Sequence, residues 1–500
     1  GRRVRGNAAA RGNGMRCVVF GATGYLGGRL VPALLAEGHE VRAVARTPAK
    51  LAEVPWREQA EIVRADATDP DAVAAAMAGQ EVVYYLVHSL TRKDFAALDR
   101  RAARVVAECA ATAGVSRVVY LGGITPEHVE LSEHLASRAE VGRILLDGPV
   151  PAVVLRAAVI LGAGSASFEM LRHLTERLPA MVTPRWVHNR IQPIAVGDVL
   201  HYLTRAATIA GPVNRAFDIG GPDVLTYLRM MRRYAAVAGL RRRLVIPVPV
   251  LSPWLSAQWV NLVTPVPRAI AVPLIESLVN EVVCRDHAIA EYIPDPEGGL
   301  TTFERAVELA LARVGRADVP TRWSDASTPG APADPLPTDP EWAGGTLYED
   351  VRERHTSASP QDLWQVVESI GGEHGWYSFP PAWSVRGWID RLVGGVGLRR
   401  GRRHPHRLRV GEALDWWRVE RLERPRMLRL RAEMRLPGRA WLELSVRPDG
   451  DGGAVYRQRA LFLPHGSPGH LYWLALRPLH GVVFGGMARN LVGAAGHTDR

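Results

Sequence analysis

The chain has 500 residues, 47% of them hydrophobic and 23% charged, which is enough apolar material for more than one core. Its formal net charge of +11 would suit a nucleic acid or an anionic membrane surface. No nucleic-acid reader motif is present, and the cations are almost all arginine, with lysine only at Lys50 and Lys93, so nucleic acid is set aside as a partner. Peripheral contact with a membrane stays open. Cys17, Cys109 and Cys284 have no paired spacing, and Cys17 and Cys109 read as core thiols, as expected in a reducing cytoplasm. The histidines show no ligand spacing, so no metal is expected.

Residues 1–14 read as a disordered extension, with Met15 a candidate start. An apolar stretch from Cys17 to Phe20 predicts a buried first strand, and a helix opens near Tyr25. Between them stands Gly21-Ala-Thr23-Gly24-Tyr25-Leu26-Gly27. Gly21 permits a tight turn, Gly24 admits a pyrophosphate close to the backbone, and Gly27 lets the helix sit near the strand. This strand–turn–helix context gives the glycines their meaning and predicts a bound dinucleotide.

Glu40 to Ala45 reads as the second strand. Its end carries no carboxylate to accept from a ribose 2′-hydroxyl; Arg46 follows, then Lys50. Cations there suit a 2′-phosphate, so NADP(H) is expected over NAD(H), unless Arg46 is only a solvated side chain. The third strand, Ile62 to Asp66, ends on an Asp placed to meet an adenine amino group, and Ala67 next to it is also expected at the cofactor. The fourth, Val82 to Val87, delivers His88 and Ser89 to the ligand-binding edge, and Arg117 to Leu121 forms the fifth. Alternation with helices such as 95–113 predicts an α/β fold, a doubly wound parallel Rossmann sheet.

The order of these pieces resembles the atypical short-chain dehydrogenase/reductases, in particular the NmrA-like group. The glycine spacing, Asp66, Val153-Val-Leu-Arg-Ala-Ala-Val-Ile-Leu-Gly162 and Gln192-Pro-Ile-Ala-Val-Gly-Asp198 carry the resemblance. Active members use a Tyr as general acid/base, a Lys four residues later, and a Ser after the fifth strand. The alignment puts His134 at the Tyr, Arg138 at the Lys, and Gly122 or Gly123 at the Ser. With lysine only at 50 and 93, no downstream Tyr-x-x-x-Lys pair exists. Two readings follow. Either the domain still reduces a substrate, with His134 as proton donor and Arg138 beside it, or it binds NADP(H) without turnover as a sensor or scaffold for a protein partner. His134 as a plain surface helix residue is the bland alternative; Ser137 and Glu140 on the same helix are weaker candidates.

Residues 163–312 are expected to cover the substrate, completing a unit over 15–323. Within 244–283 the sequence is apolar but broken by prolines, which argues for a lid, a membrane-resting patch or plain core rather than a spanning helix. Arg241 to Arg243 and the basic run 399–403 read as solvated loops. Residues 324–345, dense in Pro, Asp, Ala and Gly, read as a linker.

Beyond the linker, over 346–500, the periodicity changes. Leu428, Leu430, Ala432 and Met434 alternate with Arg429, Arg431, Glu433 and Arg435; Leu442, Leu444 and Val446 alternate with Trp441, Glu443 and Ser445. Tyr456 to Phe462 continues this, predicting an antiparallel meander. Ser359-Pro-Gln-Asp362 predicts a capped helix start, and 468–492 a long apolar final helix. This order resembles the α+β helix-grip fold of START and polyketide-cyclase-like domains. The blocks 387–398, 416–420 and 432–441 are similar to an uncharacterised domain fused behind NmrA-like reductases. The resemblance implies an apolar cavity for a hydrophobic small molecule, which Trp416, Trp441 and Glu433 would line or gate if the tryptophans are not simply core.

Overall fold

The computed structural model describes residues 14–52, 54–88, 94–126, 129–183, 185–247, 266, 268–315, 346–371, 376, 407–450 and 452–496. The chain divides into two compact units, residues 1–344 and 345–500. The linker, the basic run 399–403, the block 387–398, Ser89 and residues 248–265 and 267 of the proline-broken stretch lie outside the described residues.

The first unit is built on a parallel seven-stranded sheet: β1 (Arg16–Phe20), β2 (Glu40–Ala45), β3 (Glu61–Arg64), β4 (Val82–Tyr85), β5 (Arg117–Gly123), β6 (Ala152–Ala157) and β7 (Arg215–Ile219). The strand order is β7-β6-β5-β4-β1-β2-β3, so the winding reverses between β1 and β4. Val18, Val19 and Phe20 are fully buried because helices cover both faces of the sheet. Helices α1 (Tyr25–Ala36), α2 (Pro70–Met77), α3 (Phe95–Thr112) and α4 (Glu133–Leu146) connect its strands.

Helix α1 carries Pro32 in its middle. A proline has no N–H for the carbonyl four residues back, which here belongs to Gly28. The indole N–H of buried Trp56 donates to that carbonyl at 3.2 Å, so the break in the ladder is filled from outside the helix. The segment after β6 adds α5 (Ala166–Arg177), α6 (Val196–Ala206), α7 (Tyr227–Val237), α8 (Arg268–Leu278) and α9 (Phe303–Gly315), with a core of its own around Phe168, Tyr227 and Tyr234. The Gln192–Asp198 motif stitches this region together. Gln192 Nε2 donates to the Gly221 carbonyl, its Oε1 accepts from Cys284 N–H, and Asp198 accepts from the backbone and hydroxyl of Thr301. Within the run 241–243 the expectation of solvation fails at Arg243, which is buried and donates to the Thr175 carbonyl at 2.7 Å. Cys109 is only half-buried, against the core thiol expected.

The second unit is a six-stranded antiparallel sheet: β8 (Tyr348–Thr356), β9 (Ala413–Leu414), β10 (Trp417–Glu423), β11 (Met427–Ala432), β12 (Gly438–Pro448) and β13 (Ala454–Pro464), in the order β8-β13-β12-β11-β10-β9. Helices α10 (Pro360–Glu368) and α11 (Gly466–Ala495) pack their apolar residues on one face, where Leu428, Leu430, Leu442, Leu444 and Tyr456 point. Ser359 caps α10 with Pro360 in its first turn, as its sequence predicts. Trp416 stacks on Trp376 inside this core, and Trp441 is buried as well; Glu433 is taken up by Arg418 at 2.5 Å. On the other face, the alternating polar residues are not simply solvated. Glu443 stands opposite both Arg429 and Arg459 in register and pairs with each, and Arg429 and Glu443 are buried.

Candidate dinucleotide cleft

At the carboxyl ends of the central strands lies an open cleft of about 200 Å³. It forms at the reversal between β1 and β4, where open parallel sheets leave a crevice. Gly21 turns the chain with φ +89°, and its carbonyl accepts the Gly24 N–H at 2.9 Å. A Cβ on Gly21 would stand 2.7 Å from the Leu86 carbonyl oxygen; one on Gly27 would stand 2.1 Å from that of Gly21. Helix α1 then starts at Gly24 with no side-chain cap and no acidic residue in its first turn. Backbone N–H groups and the positive end of the helix dipole are therefore left for an anion.

Of the residues expected at the cofactor, Gly21, Thr23, Gly24, Arg46, Asp66, Ala67, Val87 and His88 line this cleft. Tyr25, Leu26, Gly27 and Lys50 do not line it. Gly27 acts by close packing. Tyr25 lies under the Arg29 guanidinium, 4.0 Å from the ring centroid, and its hydroxyl crowds the place a Gly162 Cβ would occupy. Leu26 packs on the core, and Lys50 is exposed on the short turn Pro48–Leu51. Asp66 Oδ1 accepts from the Thr68 N–H and hydroxyl at 2.9 and 2.7 Å, which fixes the carboxylate at the cleft wall. Phe20, Val44, Leu86, Leu98 and Ala102 also line it; as ordinary core residue types they carried no sequence signal.

The region from β5 to α4 differs from the expected pattern. Ser132 caps α4 through the Leu135 N–H, and the next turn carries His134, Ser137 and Arg138. His134 is buried, with 8% of its surface exposed, so the surface-residue alternative is overturned. Burial first, then the charges of Arg138 and His88, push its imidazole down to about 3, so it is neutral near pH 7 rather than titrating there. His88, open to the cleft, is held low by the surrounding protein and then by Arg138. Arg138 donates to the Leu121 carbonyl at 3.2 Å, at the end of β5. Ser137 is buried, and its hydroxyl has no hydrogen-bond partner among the described residues. Glu140 is withdrawn from the group, since Arg100 on α3 grips both its oxygens at 2.6 and 2.9 Å. His88 thus stands at the cleft wall, and Arg138 lies near enough to act on both imidazoles through its charge.

Residues 21–147 match the family described as NAD(P)H-binding. This part of the chain is an NAD(P)H-binding domain. A nicotinamide dinucleotide is the ligand class, and the uncapped helix and glycine cradle fit its pyrophosphate. Residues 342–487 match a second family, described as a protein of unknown function (DUF2867). An uncharacterized protein of Mycobacterium tuberculosis is 31% identical over 243 residues, 47% of this chain and 25% of that one. The chain therefore spans about a quarter of the length of that relative. The ceramide reductase of Caulobacter vibrioides is 28% identical over 239 residues, 46% of this chain and 73% of that one. Among solved structures, the Citrobacter sp. triphenylmethane reductase in complex with NADP(H) is 21% identical, covering 59% of this chain and all of that one, with a TM-score of 0.47. The NAD(P)H-binding domain is followed in the same unit by the segment carrying α5 to α9. Among the described residues no group of His, Cys, Asp and Glu is arranged to hold a metal, and no helix is long and apolar enough to cross a membrane.

Proposed function

We propose that the chain is an NADPH-dependent reductase of a hydrophobic substrate, of the atypical short-chain dehydrogenase kind. The observation that carries the cofactor choice is the cleft wall beyond β2. Arg46 lines it, Lys50 lies exposed one turn away, and no carboxylate stands at the strand end to repel a 2′-phosphate. When bound, the nicotinamide supplies a hydride to the acceptor. The chain's own part is to bind the dinucleotide at Gly21 to Gly27 and to steady the charge that appears on the substrate oxygen. Neutral His134 serves there as a hydrogen-bond donor and Arg138 as a fixed cation, in place of a Tyr–Lys pair. The proton that completes the alcohol comes from water, because an imidazole held neutral has none to spare as an acid.

The second unit is read as a helix-grip domain that holds the apolar substrate. Its antiparallel meander with a long final helix on one face supports this, and the ceramide reductase among the relatives agrees with a lipid-like substrate. The free thiols suit a reducing compartment. The test is NADPH oxidation with a panel of long-chain ketones and enones, using native protein, His134→Gln and Arg138→Ala. Turnover that falls about 100-fold or more in both variants, with NADPH affinity retained, supports the reading; unchanged turnover contradicts the assignment.

A non-catalytic NADP(H) sensor that binds a protein partner is the second reading, favoured by the lack of any Tyr-x-x-x-Lys pair. It predicts that bound NADPH survives every acceptor while partner capture differs between NADP+ and NADPH.

A further inference from the structure

The final helix, α11, is apolar on both faces, and only one of them is explained by packing. Its inner face buries Trp473, Phe484, Met487, Ala488, Leu491 and Ala495. Its outer face leaves Leu471, Leu474 and Val482 exposed at 67%, 55% and 67%, with Ala475 and Pro478 exposed between them. Steps of three, four and four residues through 471, 474, 478 and 482 place these groups on one stripe, running ~16 Å along the helix. A helix side that faces water is normally polar, so this stripe calls for a cover.

The charges around it say what kind. From Gly466 to Ala495 the sequence has no Asp and no Glu, while Arg477 flanks the stripe and Arg489 ends it, both exposed. The helix start seats on the Pro437 carbonyl, which accepts the His465 N–H at 2.9 Å, and exposed Arg435 and Arg439 stand on either side of that proline. A second copy laid along the same stripe would bring Arg477 and Arg489 of both helices together with no carboxylate on the helix to answer them. An anionic bilayer surface offers phosphates to the arginines and acyl chains to the leucines. The helix lies along it and does not cross, because the inner face is committed to the sheet core.

We propose that the outer face of α11 rests on an anionic lipid surface, through Leu471, Leu474 and Val482 with Arg477 and Arg489 at the headgroups. This is independent of the cofactor reading. The experiment is co-sedimentation of the full chain at low salt with vesicles of phosphatidylcholine alone and of phosphatidylcholine with phosphatidylglycerol. The variants are Leu471→Ser/Leu474→Ser/Val482→Ser and Arg477→Glu/Arg489→Glu, each checked for an unchanged melting temperature; all five side chains are exposed. The proposal expects binding only to the anionic vesicles, weakened by added salt and by at least about tenfold in each variant. Absence of binding overturns it, as does equal binding by the triple serine variant. Concentration-dependent self-association that the serine variant abolishes, without vesicle binding, also overturns it by making a second copy the occupant.

Discussion

The dinucleotide cleft and the β5–α4 region, where His134 lies, are made of different things. At the β1–β3 end the site is mostly backbone: a glycine turn, an uncapped helix start, and a carbonyl that leaves no room for a side chain at Gly27. The β5–α4 region is made of side chains whose properties come from burial: His134 and Ser137 inside, with Arg138 fixed on a carbonyl. A site made of backbone depends on a few residue types at fixed spacing, whereas a cluster of buried side chains depends on what packs around it.

Breaking the backbone end should have the largest effect. Gly27→Val drives a branched side chain into the Gly21 carbonyl, and should cost about 3 kcal/mol or more of stability together with all nucleotide binding. Urea unfolding measures the first and fluorescence titration the second; a stable, binding variant would show that the close approach is not needed.

The side-chain end is broken by pH. The His134 imidazole is held at about 3 against an ordinary 6.5, so the unfolded chain takes up a proton that the native chain refuses. The neutral imidazole's contribution is complete above the ordinary value and is lost as pH falls towards 3, by about 1.4 kcal/mol for each pH unit. His134→Gln should flatten the acid limb of stability by close to one proton. An unchanged slope would mean that the imidazole is not confined.

A smaller effect sharpens the comparison inside helix α1. Trp56→Phe removes the donor that fills the Pro32 gap and should cost about 1 kcal/mol. Adding Pro32→Ala to that variant restores an N–H for the Gly28 carbonyl and should recover much of the loss; additive losses would contradict the pairing.

Much of the fold was legible in the sequence for the same reason as the backbone end. Cys17 to Phe20 is a fully apolar run because both sheet faces are covered, and Leu428 to Leu444 alternate because helices lie on one side only. The cap at Ser359 needs just Ser, then Pro. Other features left no trace. Ser-Glu-His-Leu-Ala-Ser-Arg has the look of a surface helix, yet His134 and Ser137 are buried. Arg243 reads like its exposed neighbours until the Thr175 carbonyl is brought to it from a distant helix. Arg429 and Glu443 look like a solvated polar face, and only strand register shows them paired and buried. Leu98 and Ala102 join the cleft through the position of α3, which no local pattern encodes.

The proposed role of Arg46 is to select a 2′-phosphate in the cleft. It is tested most directly by titrating the full chain and Arg46→Ala with NADPH and NADH, following nicotinamide fluorescence. NADPH should bind more tightly than NADH, and the variant should lose about 10- to 100-fold in NADPH affinity with NADH unaffected. Equal affinity for the two nucleotides, or an equal loss for both, would contradict it.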